Sequence, residues 1–379
     1  MTAEPIHLRG MTWRHDRAVA PLEACSRLWQ DQHGVRITWE ARSLQDFETF
    51  PVGELAARYD LLVIDHPHVG IAADAGSLLP LDINRVQASS YVGRSLKSYV
   101  WANTLWALPI DAAAQVQAFN PRRLKALLPT YRAALELAPG ELAIPLLPPH
   151  GLLSLFTLYH QAGAVLGRDG LDPRLGAAAF ELLAAMVDRI DPWCHTADPI
   201  AALEALADPG ATIAASPLIF GYVNYAMPDY RANAVAFADL PVVNGSSVGG
   251  SVLGGTGIAV SAACEHRAEA VAFAHWLAGK ETQRGPYVIA KGQPAHAEAW
   301  DSEIANAAAG QFFKNTRQTL KGAWVRPRHA GFIEFQSQAA EYVNTALIQR
   351  RSSEAVIAAV NLMFQRSMAE PVSALQSND

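Results

Sequence analysis

Tyr59-Asp60-Leu61-Leu62-Val63-Ile64-Asp65-His66-Pro67-His68-Val69-Gly70 is the stretch on which the reading of this chain turns. Leu61 to Ile64 is a short, uninterrupted apolar run, the pattern of a parallel strand buried on both faces. Open α/β sheets bind ligands outside the carboxyl ends of such strands. Here that end delivers Asp65, His66 and His68, with Pro67 stopping the strand and Gly70 opening a turn. In a continuing strand His66 and His68 would alternate with their neighbours, and Asp65 and His68 would face opposite ways. A turn at Pro67 is what could bring both to one ligand. The plainer role for Asp65 is a cap for that turn, with the histidines as half-exposed loop residues.

Toward the N-terminus, residues 6–11 read as a strand ending at Gly10, and Thr12 or Asp16 can cap a helix over 20–33. Leu22, Cys25, Leu28 and Trp29 recur there at helical spacing, and Gly34 stops the run. Residues 35–39 alternate as a second strand, and 47–57 make a short helix into the 61–64 strand. Strand, helix, strand, helix, strand is a doubly wound opening.

Toward the C-terminus, 99–111 read as a hairpin with Asn103-Thr104 in its turn. Residues 115–149 are expected as helical pieces punctuated by Pro121, Pro129, Pro139 and Pro145, followed by helices over 152–166, 175–190 and 200–207. A strand over 211–215 then leads through 217–225 into a tyrosine-rich helix start, and 235–240 is the next strand. Residues 245–257 hold six glycines and three serines in thirteen positions. Such a run is a flexible crossing or a close backbone approach. It lacks the Gly-Lys-Ser/Thr ending of a phosphate loop and the spacing of a dinucleotide fingerprint. A strand resumes at 258–260, with amphipathic helices over 265–278, 337–350 and 354–367 and a frayed tail after Pro371.

At 379 residues, 50% hydrophobic and 17% charged, the chain is long enough for two lobes. A net charge of −6 with no Lys/Arg cluster argues against nucleic acid as a partner. The cysteines, Cys25, Cys194 and Cys264, are odd in number and far apart, which suits buried reduced thiols rather than a disulfide framework or a metal site. No run approaches the roughly 18 apolar residues of a membrane span, and residues 1–9 lack the apolar core of an export signal. The chain as written is therefore expected in the cytoplasm, or in the periplasm if an export signal has been removed.

The stretches 8–13, 59–68, Leu108-Pro109-Ile110-Asp111-Ala112-Ala113, 254–260, Gly292-Gln293-Pro294 and Ser352-Ser353-Glu354-Ala355, in this order, resemble the bacterial extracellular solute-binding proteins of ABC importers, in the carbohydrate-type branch. The resemblance implies an α/β, two-lobed type II periplasmic-binding fold with a ligand cleft between the lobes. It places residues 1–111 in lobe 1, 112–254 in lobe 2, 255–310 back in lobe 1, and 311–379 as C-terminal helices packing on the lobes. Carried over residue by residue, it gives Trp13, His15, Asp65, His68, Asp111, Gln115, Tyr222, Tyr225 and Gly255 as ligand-lining positions. Asp111 to Gln115 would be the first crossing and 245–257 the return.

The side-chain chemistry fits a small polar solute. Trp13 offers a face for stacking, Asp111 can accept two hydroxyl hydrogen bonds or cap a helix at Ala112, and Tyr222 and Tyr225 join a ring to a polar tip. Asp191-Pro192-Trp193-Cys194-His195 groups a carboxylate, a thiol and an imidazole, but contiguous residues seldom meet as nucleophile and base. Arg326 and Arg328, flanking Pro327, suit either an acid clamp or a solvated surface. Two functions follow: binding of a sugar, polyol or related oxygen-rich solute, with an ABC permease as the further partner, or a cytoplasmic enzyme on the same fold. The second needs no cofactor or metal and would use Asp65, His68 and Asp111 for acid–base lyase or isomerase chemistry.

Overall fold

The computed structural model describes residues 5–44, 46, 51–243 and 245–369. The part of the expected 47–57 helix before Pro51, and the expected fraying after Pro371, lie outside them.

The opening follows the doubly wound order. Strand β1 (His7–Trp13) runs through Gly10 instead of ending there, because a Cβ at Gly10 would collide with the Trp39 ring that packs across it. Helix α1 (Asp16–His33) starts four residues earlier than expected, with His15 rather than Thr12 or Asp16 at its N-cap. Gly34 ends it in the left-handed region (φ 71°), donating its N–H to the Gln30 carbonyl. Strand β2 (Arg36–Arg42), helix α2 (Val52–Ala56) and strand β3 (Leu61–Ile64) complete the opening, and every residue of β3 is buried.

The next stretch makes a two-residue hairpin, β4 (Val100–Trp101) against β5 (Thr104–Leu105). Its turn is Ala102-Asn103, both at positive φ (48° and 60°), one residue earlier than the expected Asn103-Thr104. Strand β6 (Leu108–Pro109) follows. Residues 115–119 belong to strand β7 (Ala113–Phe119), where helical pieces were expected. Tertiary bonding overrides local propensity there. The buried Gln117 side chain exchanges hydrogen bonds with Leu128 and reaches the Asp239 carbonyl, which requires an extended backbone to span.

Helices α3 (His150–Gln161), α4 (Pro173–Val187) and α5 (Pro199–Ala207) come next, the last two begun by Asp172 and Asp198 caps with Pro at the first helical position. Strand β8 (Ala215–Phe220) occupies residues expected as a helix start. Its ladder with β7 shifts register between Val116 and Ala118, opposite Pro217, which has no N–H to give. Strands β9 (Ala236–Ala238) and β10 (Gly257–Val260), then helices α6 (Arg267–Ala278), α7 (Phe332–Ile348) and α8 (Ser353–Ala369), close the series.

Two compact units emerge. Unit 1 comprises residues 1–113, 222–224 and 253–314, and unit 2 comprises 114–221, 225–252 and 315–379. The C-terminal helices α7 and α8 are thus part of unit 2, and residues 222–224, expected in the second lobe, return to unit 1. Unit 1 carries a five-stranded sheet in the order β2-β1-β3-β10-β6. Strand β3 runs parallel to β1 but antiparallel to β10, so only one side of it has the purely parallel pairing expected. In unit 2, β7 pairs antiparallel with both β8 and β9. Its core centres on α3, all twelve residues of which are buried among α4, α7 and neighbouring strands. Among the described residues, no helix is long and apolar enough to cross a membrane.

Candidate functional site

Several of the residues that sequence reasoning scattered along the chain converge in unit 1 on one side chain that it did not single out, Arg17. A cation in the first turn of a helix faces the positive end of the helix dipole, an unfavourable place unless something holds it. That oddity is the signal that could have found it. Arg17 is 3% exposed and forms a two-pronged ion pair with Asp111, itself 1% exposed. Its Nε donates to Asp111 Oδ2 at 2.7 Å and its Nη2 to Oδ1. Burial is the largest influence on both groups. It pushes the Asp111 carboxyl up against the opposing pull of Arg17. For Arg17 burial acts downward, but the Asp111 carboxylate outweighs it and holds the guanidinium above its ordinary value.

Around this pair the aromatic candidates assemble. The Arg17 guanidinium lies over the Tyr222 ring, 4.5 Å from its centroid, and 6.0 Å from that of Trp13. His15 meets Tyr222 edge-on with centroids 4.8 Å apart, and its Nδ1 accepts the Arg17 backbone N–H at 3.0 Å. That bond puts the ring proton of a neutral His15 on Nε2. Tyr222 is brought to unit 1 by Gln293, whose side chain accepts from Val223 N at 2.9 Å and donates to the Ala112 carbonyl at 2.8 Å. The Gly-Gln-Pro motif at 292–294 therefore works mechanically, stitching the Tyr222 segment to the Asp111 segment.

Gly255 supports the cluster from behind. It sits at φ 91°, and a Cβ there would lie 2.4 Å from the Asp111 carbonyl oxygen. The close approach lets Thr256 and Asp111 exchange two backbone hydrogen bonds of 3.0 Å. Thr256 Oγ1 is buried with no hydrogen-bond partner, a polar group at this site that sequence reasoning missed. Trp13 and Tyr222, both buried, thus pack around the Arg17–Asp111 pair.

The remaining candidates are elsewhere. His66 to His68 form a 3-10 turn with Asp65 at its N-cap, not a continuing strand. Asp65 caps that turn, accepting from His66 N at 2.8 Å, and its carboxylate lies 3.2 Å from His66 Nδ1. Both histidines are buried, where half-exposed loop residues were the plainer expectation. Gln115 belongs to unit 2, where it bridges Ser154 and Thr157 on α3 and acts as a packing fastener. Tyr225, also in unit 2, donates its hydroxyl to Glu204 at 2.6 Å, and Arg231 pairs with the same carboxylate. Sequence proximity to Tyr222 does not carry it into the Arg17 cluster. The 191–195 group is a loop turn with Cys194 buried and the His195 ring bonded to Asn344. Arg326 is buried and donates to Gln336 at 3.0 Å, so it is not a solvated surface charge. All three cysteines are buried and free, and among the described residues no group of His, Cys, Asp and Glu could hold a metal ion.

The fold is that of known solute receptors. The chain is similar to the ABC transporter solute-binding protein of Thermotoga lettingae, solved with α-D-tagatose (14% identity, 96% of this chain and 100% of that one, TM-score 0.80). It is similar likewise to that of Agrobacterium radiobacter K84 with ribitol (18%, 95% and 98%, TM-score 0.79). Maltose-bound MalE3 of T. maritima gives 16% identity over 95% and 99% of the two chains, at a TM-score of 0.81. At these identities the likeness establishes the two-lobed periplasmic-binding fold. No curated protein matches the sequence. The family model for bacterial extracellular solute-binding proteins matches residues 27–311, three quarters of the chain, and the chain belongs to that family.

Proposed function

We propose that this protein binds a small oxygen-rich solute, a sugar, polyol or close relative, against the Arg17-centred face of unit 1 and passes it to an ABC permease. The observation that carries the reading is the set of Trp13, His15 and Tyr222 held around a buried, mutually neutralised Arg17–Asp111 pair. Aromatic faces backed by a fixed scaffold suit the apolar side of a sugar ring, and binding sites are lined mainly this way. Family membership supports the receptor role, and the tagatose, ribitol and maltose complexes of its structural relatives support the solute class. Of the two locations considered from the sequence, the family's extracellular description favours the exported one.

The acid–base alternative needs Asp111 or Asp65 to trade protons with His68 or another imidazole. Asp111 is instead locked to Arg17 and Asp65 to the turn it caps. A carboxylate held in this way positions its neighbours rather than shuttling protons.

The test is a thermal-shift screen against sugars and polyols. A ligand at 100 times its Kd should stabilise the protein by about 2.7 kcal/mol. Trp13→Ala and Tyr222→Ala should weaken the best hit at least about tenfold, by the loss of aromatic contact. A panel in which nothing shifts the melting temperature, or a hit indifferent to both variants, refutes the reading.

A further inference from the structure

Thr256, in unit 1, is 5% exposed, and among the described residues its buried Oγ1 has no hydrogen-bond partner. A hydroxyl in that state costs folding free energy that a methyl group in its place would not. Native structures hold few such groups, and each calls for a reason.

The sheet of unit 1 shows where this hydroxyl points. Thr256 directly precedes strand β10, in which Gly257 stands beside Ile64 of β3 and Ile258 beside Val63. It is therefore one step beyond Ile64, off the carboxyl end of β3, the side on which open α/β sheets receive ligands. A Cβ at Gly257 would collide with the Tyr99 ring, so Tyr99 covers one face there and Thr256, by alternation, points to the other. That other face carries α1. Gly10 is in register with Leu61, and Leu61 with Val260, so the same alternation puts Gly10 on the face of Thr256. A Cβ at Gly10 would meet Trp39, whose indole N–H donates to Ser26 of α1. A second route agrees. Thr256 exchanges two backbone hydrogen bonds with Asp111, a pairing that sets opposed side chains on one face, and Asp111 reaches Arg17 in the first turn of α1. Arg17 occupies both carboxylate oxygens, and the Thr256 hydroxyl stays outside that exchange.

Thr12 is the comparison. Its Oγ1 is also buried without a partner, and it follows Met11, which pairs with Leu62, so it shares the face but lies beside Val63, within the sheet. We infer that Thr256 is a specificity-determining residue of the solute site, its hydroxyl hydrogen-bonding one hydroxyl of a sugar or polyol. The inference rests on the solute-binding reading above and adds the group that is recognised. A threonine hydroxyl both donates and accepts, so it matches a solute O–H in either sense. A site built this way discriminates against the analogue that lacks the hydroxyl.

Titration calorimetry and thermal unfolding of the full chain test it. The probes are D-glucose, D-galactose, D-mannose and D-sorbitol, with the monodeoxy analogues of whichever binds best. Thr256→Val removes the hydroxyl and keeps the shape. It should raise the melting temperature of the ligand-free protein by about 1–3 °C, because an unsatisfied buried group is gone. It should also weaken the best probe about tenfold. A merely structural hydroxyl does not give opposite signs in the two measurements. One monodeoxy analogue should bind wild type about tenfold less tightly than its parent and bind Thr256→Val as well as the parent does, which names the hydroxyl. Thr256→Ser should keep wild-type affinity, and Thr12→Val should gain stability with affinity unchanged. The assignment is overturned by a Thr256→Val protein that is less stable than wild type or keeps its affinity, by Thr256→Ser binding as weakly as Thr256→Val, or by an equal affinity loss in Thr12→Val. Each of those results leaves the solute-binding reading standing. Failure of every probe to bind wild type overturns both.

Discussion

Replacing Arg17 by Met should be among the most damaging single changes in unit 1. The substitution keeps the side chain's bulk but strands Asp111, 1% exposed, without its counter-charge. Breaking a buried ion pair from one side costs about 3–5 kcal/mol, because the remaining charge is left uncompensated. A chain of 379 residues loses about 0.8 kcal/mol per degree at its midpoint, from roughly 2.1 cal/mol/K per residue, so the melting temperature should fall by about 4–6 °C. The cost should also depend on pH with a definite sign. Burial raises the Asp111 carboxyl, and Arg17 is what opposes it. Without Arg17 the folded state holds the Asp111 proton to higher pH than the unfolded state does, so stability is regained as pH falls from 7 toward 5. The double variant Arg17→Met/Asp111→Leu should recover most of the loss, since an apolar pair of similar volume often replaces a buried ion pair at little cost. Urea titrations of the ligand-free protein at both pH values measure all of this. A single-variant cost below about 1 kcal/mol at pH 7, or a double variant as unstable as the single one, would show that the pair does not fasten the cluster.

Gly255→Ala should destabilise by about 1–3 kcal/mol, since φ is positive and the new Cβ would meet the Asp111 carbonyl, whereas Gly34→Ala, also at positive φ but in open space, should cost about 1 kcal/mol; chemical denaturation compares them. Tyr225→Phe should lower stability by about 1.5–3 kcal/mol through loss of the bond to Glu204 while leaving ligand affinity unchanged; a tenfold affinity loss would return Tyr225 to the binding site. Burial pushes Cys25 and Cys264 up to about 12 and Cys194 to about 11, so a thiol reagent at pH 8 should find three reactive groups only after denaturation. His150 and His160 are held neutral, at about 3 and about 4, while the unfolded chain takes up protons near 6.5, so each should subtract about 1.4 kcal/mol per pH unit as pH falls from 6.5 toward 4; His150→Leu should remove its share of that slope in equilibrium unfolding.

Local chemistry determined much of the chain by itself. The Leu61–Ile64 run, the Gly34 stop and the Asp-Pro starts of α4 and α5 all act through residues adjacent in sequence, through periodicity, capping and backbone freedom. Those signals survive in one dimension, so the fold class and most helices were legible. The tertiary structure alone decided what depended on distant partners. Residues 113–119 became a strand because their backbone pairs with β8 and β9 and buried Gln117 reaches the Leu128 and Asp239 carbonyls, against a local sequence that suits a helix. Tyr222 and Tyr225, three positions apart, separated into different units because Gln293 holds the segment carrying one and Glu204 holds the other. Arg17 and Asp111, 94 positions apart, became a pair because burying either charge alone is prohibitive, and no local pattern names the partner of a buried charge. The candidate cluster was therefore half visible: Trp13, His15, Asp111 and Tyr222 were singled out along the chain, while the Arg17–Asp111 ion pair that gathers them exists only in three dimensions.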